Sequence, residues 1–416
     1  MNNRRIFENK VNYSLRSAMQ GALFHVLLFS PGLIMISFNR GSFASGLAIY
    51  FYLLIVYVAA RNPSISSVGQ SGIRRPIFFA AFLFIILIHA IFAAIINPYF
   101  EYNRFAASYL LLLVMCACAL AYTPILLKVS LTEVSRWVNI ALWFLVVNAV
   151  IGLTGFDLFQ GGLGKPVGIF LEPSHFALIL APLLAFTSAT KAKNAFVFHI
   201  FFILWGLAIE NLTTLITVAL SASLVFRLKI SLKIIKIIFF IMILVAVFAQ
   251  EINFMHFLDR ISISADSDNL SVLVLLQGWQ NAFVILRDTG GWGSGFQQFG
   301  FFGSYGDIQT RILELAGVNL NLFDGGSTAA KLIGEFGVFG MAAVSIFLAI
   351  AVQSFFFLRS RTINENSGGS VLLSVSVFAF TIELFVRGVG YFSPTSFLAL
   401  CGLVKFFCYN KKIKRL

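Results

Sequence analysis

The 416-residue chain is 59% hydrophobic and 11% charged, with a net charge of +13 and a mean hydropathy of +0.90. These values are typical of polytopic membrane proteins and exclude an ordinary soluble domain. The basic residues lie in the connections between apolar runs, so they indicate membrane topology rather than binding of nucleic acid. The four cysteines have neither a disulfide pattern nor metal-ligand spacing.

The first apolar run extends from Met19 to Phe38 and follows four basic residues. A secretory signal peptide has a shorter apolar core and a small-residue cleavage site. This run is long enough to cross a bilayer and has no such site, so we expect a retained transmembrane helix.

A transmembrane helix needs about 20 apolar residues, and this criterion predicts an all-α polytopic membrane protein of one integral domain, 1–416. Twelve spans are predicted, at 19–37, 43–60, 77–96, 105–123, 137–154, 175–190, 195–210, 212–226, 234–250, 328–358, 370–387 and 395–409. The seventh and eighth spans are short. Glu210 and Asn211 between them form either a tight outer turn or the centre of a re-entrant pair.

The positive charge tests this topology. Of the 30 Lys and Arg residues, 21 fall in the termini or in every second connection, as the positive-inside rule requires. We therefore expect a bacterial inner-membrane protein with both termini in the cytoplasm and the intervening connections in the periplasm. An enzyme acting there needs a substrate that is already activated, because the periplasm contains no ATP. The internal repeats of many transporters are missing.

Residues 251–326 are predicted to form a long periplasmic loop that carries short helices. The loop has eight acidic side chains and three arginines, Arg260, Arg287 and Arg311. Its glycine-rich segment 290–296 matches neither a P-loop nor a dinucleotide fingerprint. We interpret the segment as a turn that exposes Trp292 for stacking on a sugar.

Two charged groups belong to this loop and to the span that follows it. Asp307, Arg311 and Glu314 share one helical face and can pair, either in a functional site or as a solvated surface. Lys331 and Glu335 are also one turn apart, where the tenth span enters the membrane. Ionisable groups at such a position are costly and are usually functional or mutually paired.

A second group precedes the sixth span. Lys165, Glu172 and His175 lie within 11 residues, and two prolines stiffen the segment between them. A cation, a carboxylate and an imidazole at one membrane edge suit phosphate binding and general-base catalysis. Interfacial anchoring with a helix cap is the alternative.

A third charged group lies at the C-terminal end of the eleventh span. Glu383 precedes Arg387 by one turn, which is the favourable order for an ion pair. A guanidinium at the depth of the lipid headgroups can bind a phosphate through two hydrogen bonds. The alternative is an arginine that only extends toward water.

Four segments, taken in this order, resemble the O-antigen polymerases (Wzy) of Gram-negative bacteria. They are 165–173 (KPVGIFLEP), 291–295 (GWGSG), 331–337 (KLIGEFG) and 385–391 (FVRGVGY), less than a tenth of the chain. The resemblance implies a helical fold shared with O-antigen ligases and the glycosyltransferase C class. It also implies joining of undecaprenyl-pyrophosphate-linked oligosaccharide repeat units at the periplasmic face, without a metal ion or cofactor.

We hypothesise roles for particular residues in such a transfer. Lys165 and Arg387 would hold the donor pyrophosphate, with help from Arg311 or Arg287. Glu172 is the first candidate for the base that orients or deprotonates the acceptor hydroxyl, followed by Glu314 or Asp324 and then His175. Substrate contacts are also assigned to Lys331, Glu335, Tyr391 and Trp292. Membrane lipid and a chain-length regulator protein are the further partners expected.

Two features keep alternatives open. The family often has Arg where this chain has Lys165, so the phosphate contact there would be a point charge rather than a fork. The related ligases tend to carry a His in the long loop, where this chain has only His256, at the start of the loop. This difference favours a polymerase over a ligase. A flippase for lipid-linked oligosaccharides is the alternative from another functional class.

Overall fold

The computed structural model describes residues 2–38, 42–61, 70–155, 167–225, 268–302, 306–360 and 363–409. Within these ranges the fold is all-helical, with one isolated bridge between Val167 and Phe170. The α-helices of the described residues are α1 Asn2–Ser37, α2 Ala44–Arg61, α3 Gln70–Ile96, α4 Tyr102–Leu126, α5 Leu131–Leu153, α6 Pro173–Ala189, α7 Ala195–Ala208, α8 Leu212–Ala222, α9 Leu270–Asp288, α10 Asp307–Ala316, α11 Thr328–Ser360, α12 Gly368–Phe385 and α13 Pro394–Tyr409.

Seven helices of the described residues are long and apolar enough to cross a membrane, by length and composition. They are the apolar parts of α1, α3, α4, α5, α9, α11 and α12. Five further apolar helices have 10 to 17 residues. Eleven of the twelve predicted spans coincide with a helix, and the ninth, 234–250, lies outside the described residues. The helical fold class is confirmed, and the apolar helices indicate a membrane protein.

The short helices α7 and α8 are joined by the predicted tight turn. Glu210 has a positive φ of 52°, and the side chain of Asn211 caps α8 by accepting a hydrogen bond from the backbone of Thr214. The helices have 14 and 11 residues. At about 1.5 Å per residue, neither alone crosses a hydrocarbon core of about 30 Å.

The helix contacts define two ends of the bundle. Gly369 at the start of α12 packs on Leu126 at the end of α4, where a Cβ on the glycine would lie 1.8 Å from the Leu126 carbonyl oxygen. The C-terminus of α12 therefore lies at the opposite end, together with the N-terminus of α4. We call this second end the site end.

The helix α9 was not expected, because it lies inside the predicted loop. Polar residues in its middle interrupt the apolar pattern, and they bind the segment that leads into α10. Gln280 accepts a hydrogen bond from the backbone of Ile308 at 3.1 Å, and Asn281 accepts one from Gly306 at 3.2 Å. The expectation of only short helices in this loop is therefore wrong for the 19-residue α9.

The contacts of α9 place it across the site end. Near its start, Val274 packs on Gly326, whose carbonyl accepts a hydrogen bond from Gly388 just beyond α12. Just beyond its C-terminus, the carbonyl of Ser294 accepts a hydrogen bond from Asn97, which follows α3. Both of these neighbours belong to the site end, so α9 crosses that end rather than running parallel to the bundle.

The glycine-rich segment forms backbone hydrogen bonds with α11 at a break in that helix. Gly337 has φ 56° and ψ −130°, which divides α11 in two. The carbonyl of Gly291 accepts a hydrogen bond from Val338 at 3.0 Å, and the carbonyl of Glu335 accepts one from Gly295 at 2.8 Å. A Cβ on Gly337 would lie 1.9 Å from the Gly291 oxygen, so only glycine fits.

We expect Gly337→Ala to destabilise the protein much more than Gly317→Ala, as measured by thermal unfolding in detergent. Both glycines have positive φ, a conformation that costs a residue with a Cβ about 1–2 kcal/mol. Only Gly337 adds a backbone clash, since a Cβ on Gly317 meets nothing within 4 Å. Equal losses of stability in the two variants would contradict the close packing of Gly337 on the Gly291 carbonyl.

Candidate functional site

An ion pair joins two of the predicted groups at the site end. Arg387, just after α12, donates to the carboxylate of Glu172, just before α6, at 2.7 Å. The side chains are 16% and 26% exposed. The hydroxyl of Ser174 donates to the same carboxylate at 2.7 Å. The sequence placed these residues more than 200 positions apart, and the fold brings them into contact.

Asn321 provides the second contact of Arg387. The side-chain amide of Asn321 is assigned with its oxygen toward the guanidinium, because this orientation satisfies both the oxygen and the nitrogen of the amide. The oxygen then accepts hydrogen bonds from both terminal nitrogens of Arg387, at 2.9 and 3.1 Å. The guanidinium is thus held from two sides. Its Nε is buried and has no hydrogen-bond partner among the described residues. A buried, unpaired donor on a fixed cation is suited to an anionic ligand.

The charge state of Glu172 follows from these contacts. Burial raises the pKa of this carboxyl, but Arg387, His175 and the Ser174 hydroxyl together outweigh burial and lower the pKa to about 2. Glu172 is therefore a carboxylate across the physiological pH range. A general base works best with a pKa near the working pH, so this geometry suits orienting Arg387 better than accepting a proton.

His175 lies in the first turn of α6 beside this pair. It is 8% exposed, and its ring packs edge-on against Phe43 with the centroids 5.0 Å apart. Its Nδ1 is buried without a hydrogen-bond partner among the described residues. His175 thus presents a second unpaired polar atom close to Glu172 and Arg387.

Lys331 lies in the first turn of α11 and is 1% exposed. Its ammonium donates to the carbonyl of Phe323 at 2.5 Å and to Gln297 at 3.3 Å. It also lies 3.8 Å from carboxylate oxygens of both Asp324 and Glu335. The predicted pairing of Lys331 with Glu335 is confirmed, and Asp324 joins it from the turn that precedes α11.

Glu335 connects this cation to the glycine-rich segment. Its carboxylate is fully buried and accepts from the backbone of Gln297 at 2.9 Å and of Phe299 at 3.1 Å. Tyr391 also contacts the lysine, with the Lys331 ammonium 5.3 Å from its ring centroid. Its ring stacks on Phe296 at 5.5 Å. Lys331, Glu335 and Tyr391 therefore belong to one cluster.

The predicted ion pair between Glu383 and Arg387 is absent from the described contacts, and this prediction is wrong. Glu383 is fully buried and accepts hydrogen bonds from the hydroxyls of Ser393, Thr395 and Ser396 at the start of α13. The helix ends at Phe385, before Arg387, so the one-turn spacing does not persist. Glu383 instead fixes both ends of the connection that carries Arg387.

The predicted exposure of Trp292 is also wrong. Its ring is half-buried and stacks on His89 of α3, with the centroids 5.4 Å apart and the rings 7° from parallel. It also contacts Phe92 and Phe339 edge-on. Trp292 therefore fixes the glycine-rich segment against α3 and α11.

Three other candidates lie on exposed surface. Arg311 pairs with Asp268 at 2.7 Å and with Glu314 at 3.7 Å, and all three side chains are at least 43% exposed. Arg287 is 76% exposed and pairs with its neighbour Asp288. The predicted pairing of Arg311 with Glu314 is confirmed. Exposed pairs of this kind contribute little to stability. Lys165 and His256 lie outside the described residues.

No family model matches the chain, and no curated protein matches it significantly.

Three site residues were missed by the sequence analysis. Asn321 and Gln297 are polar residues with positive φ, of 50° and 62°, and each binds a cation of the site through its side chain. Arg104 in the first turn of α4 bonds weakly to Gln297 at 3.5 Å. Positive φ is not visible in the sequence at an Asn or Gln, so no local pattern pointed to them.

The Glu172–Arg387 pair predicts how stability depends on pH. A carboxyl whose pKa is lowered in the folded state contributes stability that is complete above its unfolded pKa, about 4.3, and is lost as the pH falls toward its folded pKa. We expect the gap in unfolding midpoint between wild type and Glu172→Gln to be constant from about pH 8 to about pH 5 and to shrink below that. A gap that closes already near pH 6, or persists unchanged at pH 3, would contradict this assignment.

The Lys331–Glu335 pair predicts a rescue. We expect Lys331→Met to cost about 3–5 kcal/mol, because it leaves the buried Glu335 carboxylate without its cation. The double variant Lys331→Met/Glu335→Gln should recover part of this loss, since the second change removes the unpaired charge. Unfolding curves of the wild type, both single variants and the double variant measure the coupling. Additive effects would show that the two side chains do not stabilise each other.

Proposed function

We propose that the chain is a glycosyltransferase that joins undecaprenyl-pyrophosphate-linked oligosaccharide units, as its resemblance to O-antigen polymerases implies. The observation that carries the proposal is Arg387 at the site end. It is held by Glu172 and Asn321, and its buried Nε has no hydrogen-bond partner among the described residues. A fixed guanidinium with one donor that has no partner among the described residues suits a phosphate oxygen.

Transfer of a sugar chain from a lipid pyrophosphate places negative charge on the leaving group. Cations that already have their final orientation stabilise that charge in the transition state. Arg387 supplies such a cation, and Lys331 places a second positive charge nearby. Glu172 orients Arg387 and does not need to accept a proton in this proposal.

The acceptor hydroxyl requires a group that orients or deprotonates it. Asp324 is 31% exposed and lies 3.8 Å from the Lys331 ammonium, so it is a carboxylate that substrate can reach. His175, beside Glu172 and Arg387, has a buried Nδ1 without a hydrogen-bond partner in the part of the chain that the structure describes. We therefore rank Asp324 and His175 ahead of Glu172, and ahead of the exposed Glu314, as the base.

The proposal includes a location. The alternation of basic residues along the sequence supports twelve crossings of a bacterial inner membrane, cytoplasmic termini and a site end that faces the periplasm. The lipid substrates then reach the site from the bilayer, along the apolar outer faces of the helices. A chain-length regulator protein and membrane lipid are the further partners in this proposal.

The test is elongation by purified protein in liposomes that contain the lipid-linked repeat unit. We expect products longer than one unit from the wild type, and a rate reduced about 100-fold or more in Arg387→Gln, in line with the loss of one transition-state donor. Arg136→Gln is the matched control, because Arg136 is exposed and lies in α5, which begins at the opposite end of the bundle.

Three outcomes would contradict the proposal. Full activity of Arg387→Gln would remove the pyrophosphate assignment. Transfer of the oligosaccharide only to a lipid A core acceptor would indicate a ligase. Translocation of the substrate across the vesicle membrane without elongation would indicate a flippase.

A further inference from the structure

Arg104 lies at the site end, in the first turn of α4. Its guanidinium carbon is 5.0 Å from the ring centroids of both Phe301 and Phe323. These two rings stack on each other, with centroids 4.7 Å apart. Contacts between a guanidinium and aromatic faces hold the planar group in one orientation while leaving its edge free for hydrogen bonds.

Among the described residues, no carboxylate pairs with Arg104. The other two cations of the site are paired with acids, Arg387 with Glu172 and Lys331 with Glu335 and Asp324. Arg104 has no carboxylate within 4.0 Å in the part of the chain that the structure describes. Its one polar contact there is the side-chain oxygen of Gln297.

Gln297 links Arg104 to the cluster. Its side-chain oxygen also accepts from Lys331 at 3.3 Å, so two cations share one neutral acceptor. Gln297 is 5% exposed, and its backbone is held by the carboxylate of Glu335. Two like charges around one fixed oxygen favour an anion close to them.

One turn connects all three cations. Asp324 donates to the carbonyl of Asn321 and closes a turn, whose ends lie within about 7 Å. Arg387 bonds to Asn321 in this turn, and Arg104 lies over the ring of Phe323. The two arginines therefore approach the same short turn through different residues.

We propose that Arg104 is the second cation that binds the pyrophosphate, the role that the sequence had suggested for Arg311 or Arg287. The inference rests on the proposed function and names a further residue of the same site. A pyrophosphate ester has two phosphates, and its charge exceeds what Arg387 alone can neutralise, since Arg387 is already paired. Arg104 supplies the unbalanced charge, oriented by the two phenylalanine rings.

In the reaction, the acceptor hydroxyl oxygen forms a bond to the anomeric carbon of the donor. The bond from that carbon to the pyrophosphate oxygen breaks, and the lipid pyrophosphate leaves with the electron pair. The hydroxyl proton passes to the base. Arg104 and Arg387 stabilise the charge that accumulates on the leaving pyrophosphate.

The test compares two lipids that differ by one phosphate. Binding of undecaprenyl pyrophosphate and of undecaprenyl monophosphate is measured on the full chain in nanodiscs, for wild type, Arg104→Gln and the exposed control Arg136→Gln. We expect Arg104→Gln to weaken pyrophosphate binding about ten- to a hundredfold, as for loss of hydrogen bonds to a charged group. The monophosphate affinity of Arg104→Gln should stay near the wild-type value, as should the affinities of the Arg136→Gln control for both lipids.

Wild-type affinity of Arg104→Gln for the pyrophosphate lipid would overturn the inference, as would equal weakening toward both lipids. If Arg104→Gln fails to fold, Arg104→Lys replaces it. Lysine keeps the charge and loses the planar fork, so intermediate weakening is expected and unchanged affinity contradicts the proposal. Pyrophosphate binding that depends on Arg104, in a protein that elongates no substrate, would refute the polymerase proposal and leave this one standing.

Discussion

The site end depends on one buried carboxylate. Glu335 is fully buried in α11, where an ionised carboxyl is costly unless every oxygen is satisfied. It meets this requirement by accepting two backbone hydrogen bonds from the glycine-rich segment and by pairing with Lys331. The same contacts fix Gln297 and Lys331. The packing of the loop and the position of the cations are therefore one arrangement.

Glycine makes this arrangement sterically feasible. Gly337 interrupts α11 at the point where the carbonyl of Gly291 approaches it, and Gly293 lies against the backbone on the other side of the break. A side chain at either position would separate the loop from the helix. Trp292, between Gly291 and Gly293, packs on α3, so the glycine-rich segment connects α3 with α11. Its observed role is packing, where the sequence had suggested sugar binding.

The acidic residues of the site mainly orient cations. Glu172 fixes Arg387, Glu335 fixes Lys331, and Glu383 fixes the two ends of the connection that carries Arg387. The low pKa of Glu172 agrees with such a role. Net acidity in the long loop therefore does not prevent binding of an anion, because the cations come from α4, α11 and the connection after α12.

The sequence predicted the helical class, the positions of eleven apolar helices and the pairing of Lys331 with Glu335, because these follow from local hydropathy and one-turn spacing. It also singled out Arg387 and Glu172, but paired Arg387 with the wrong acid, since spacing along a helix is no guide beyond the residue where the helix ends. The position of α9 across the site end was visible only in the folded structure. Gln280 and Asn281 interrupt its apolar pattern in the sequence, and they form hydrogen bonds with the segment that leads into α10. Only the tertiary structure brought Arg104, Gln297 and Asn321 to the site. Their contacts join residues far apart in the chain, and such contacts are decided by how the helices pack.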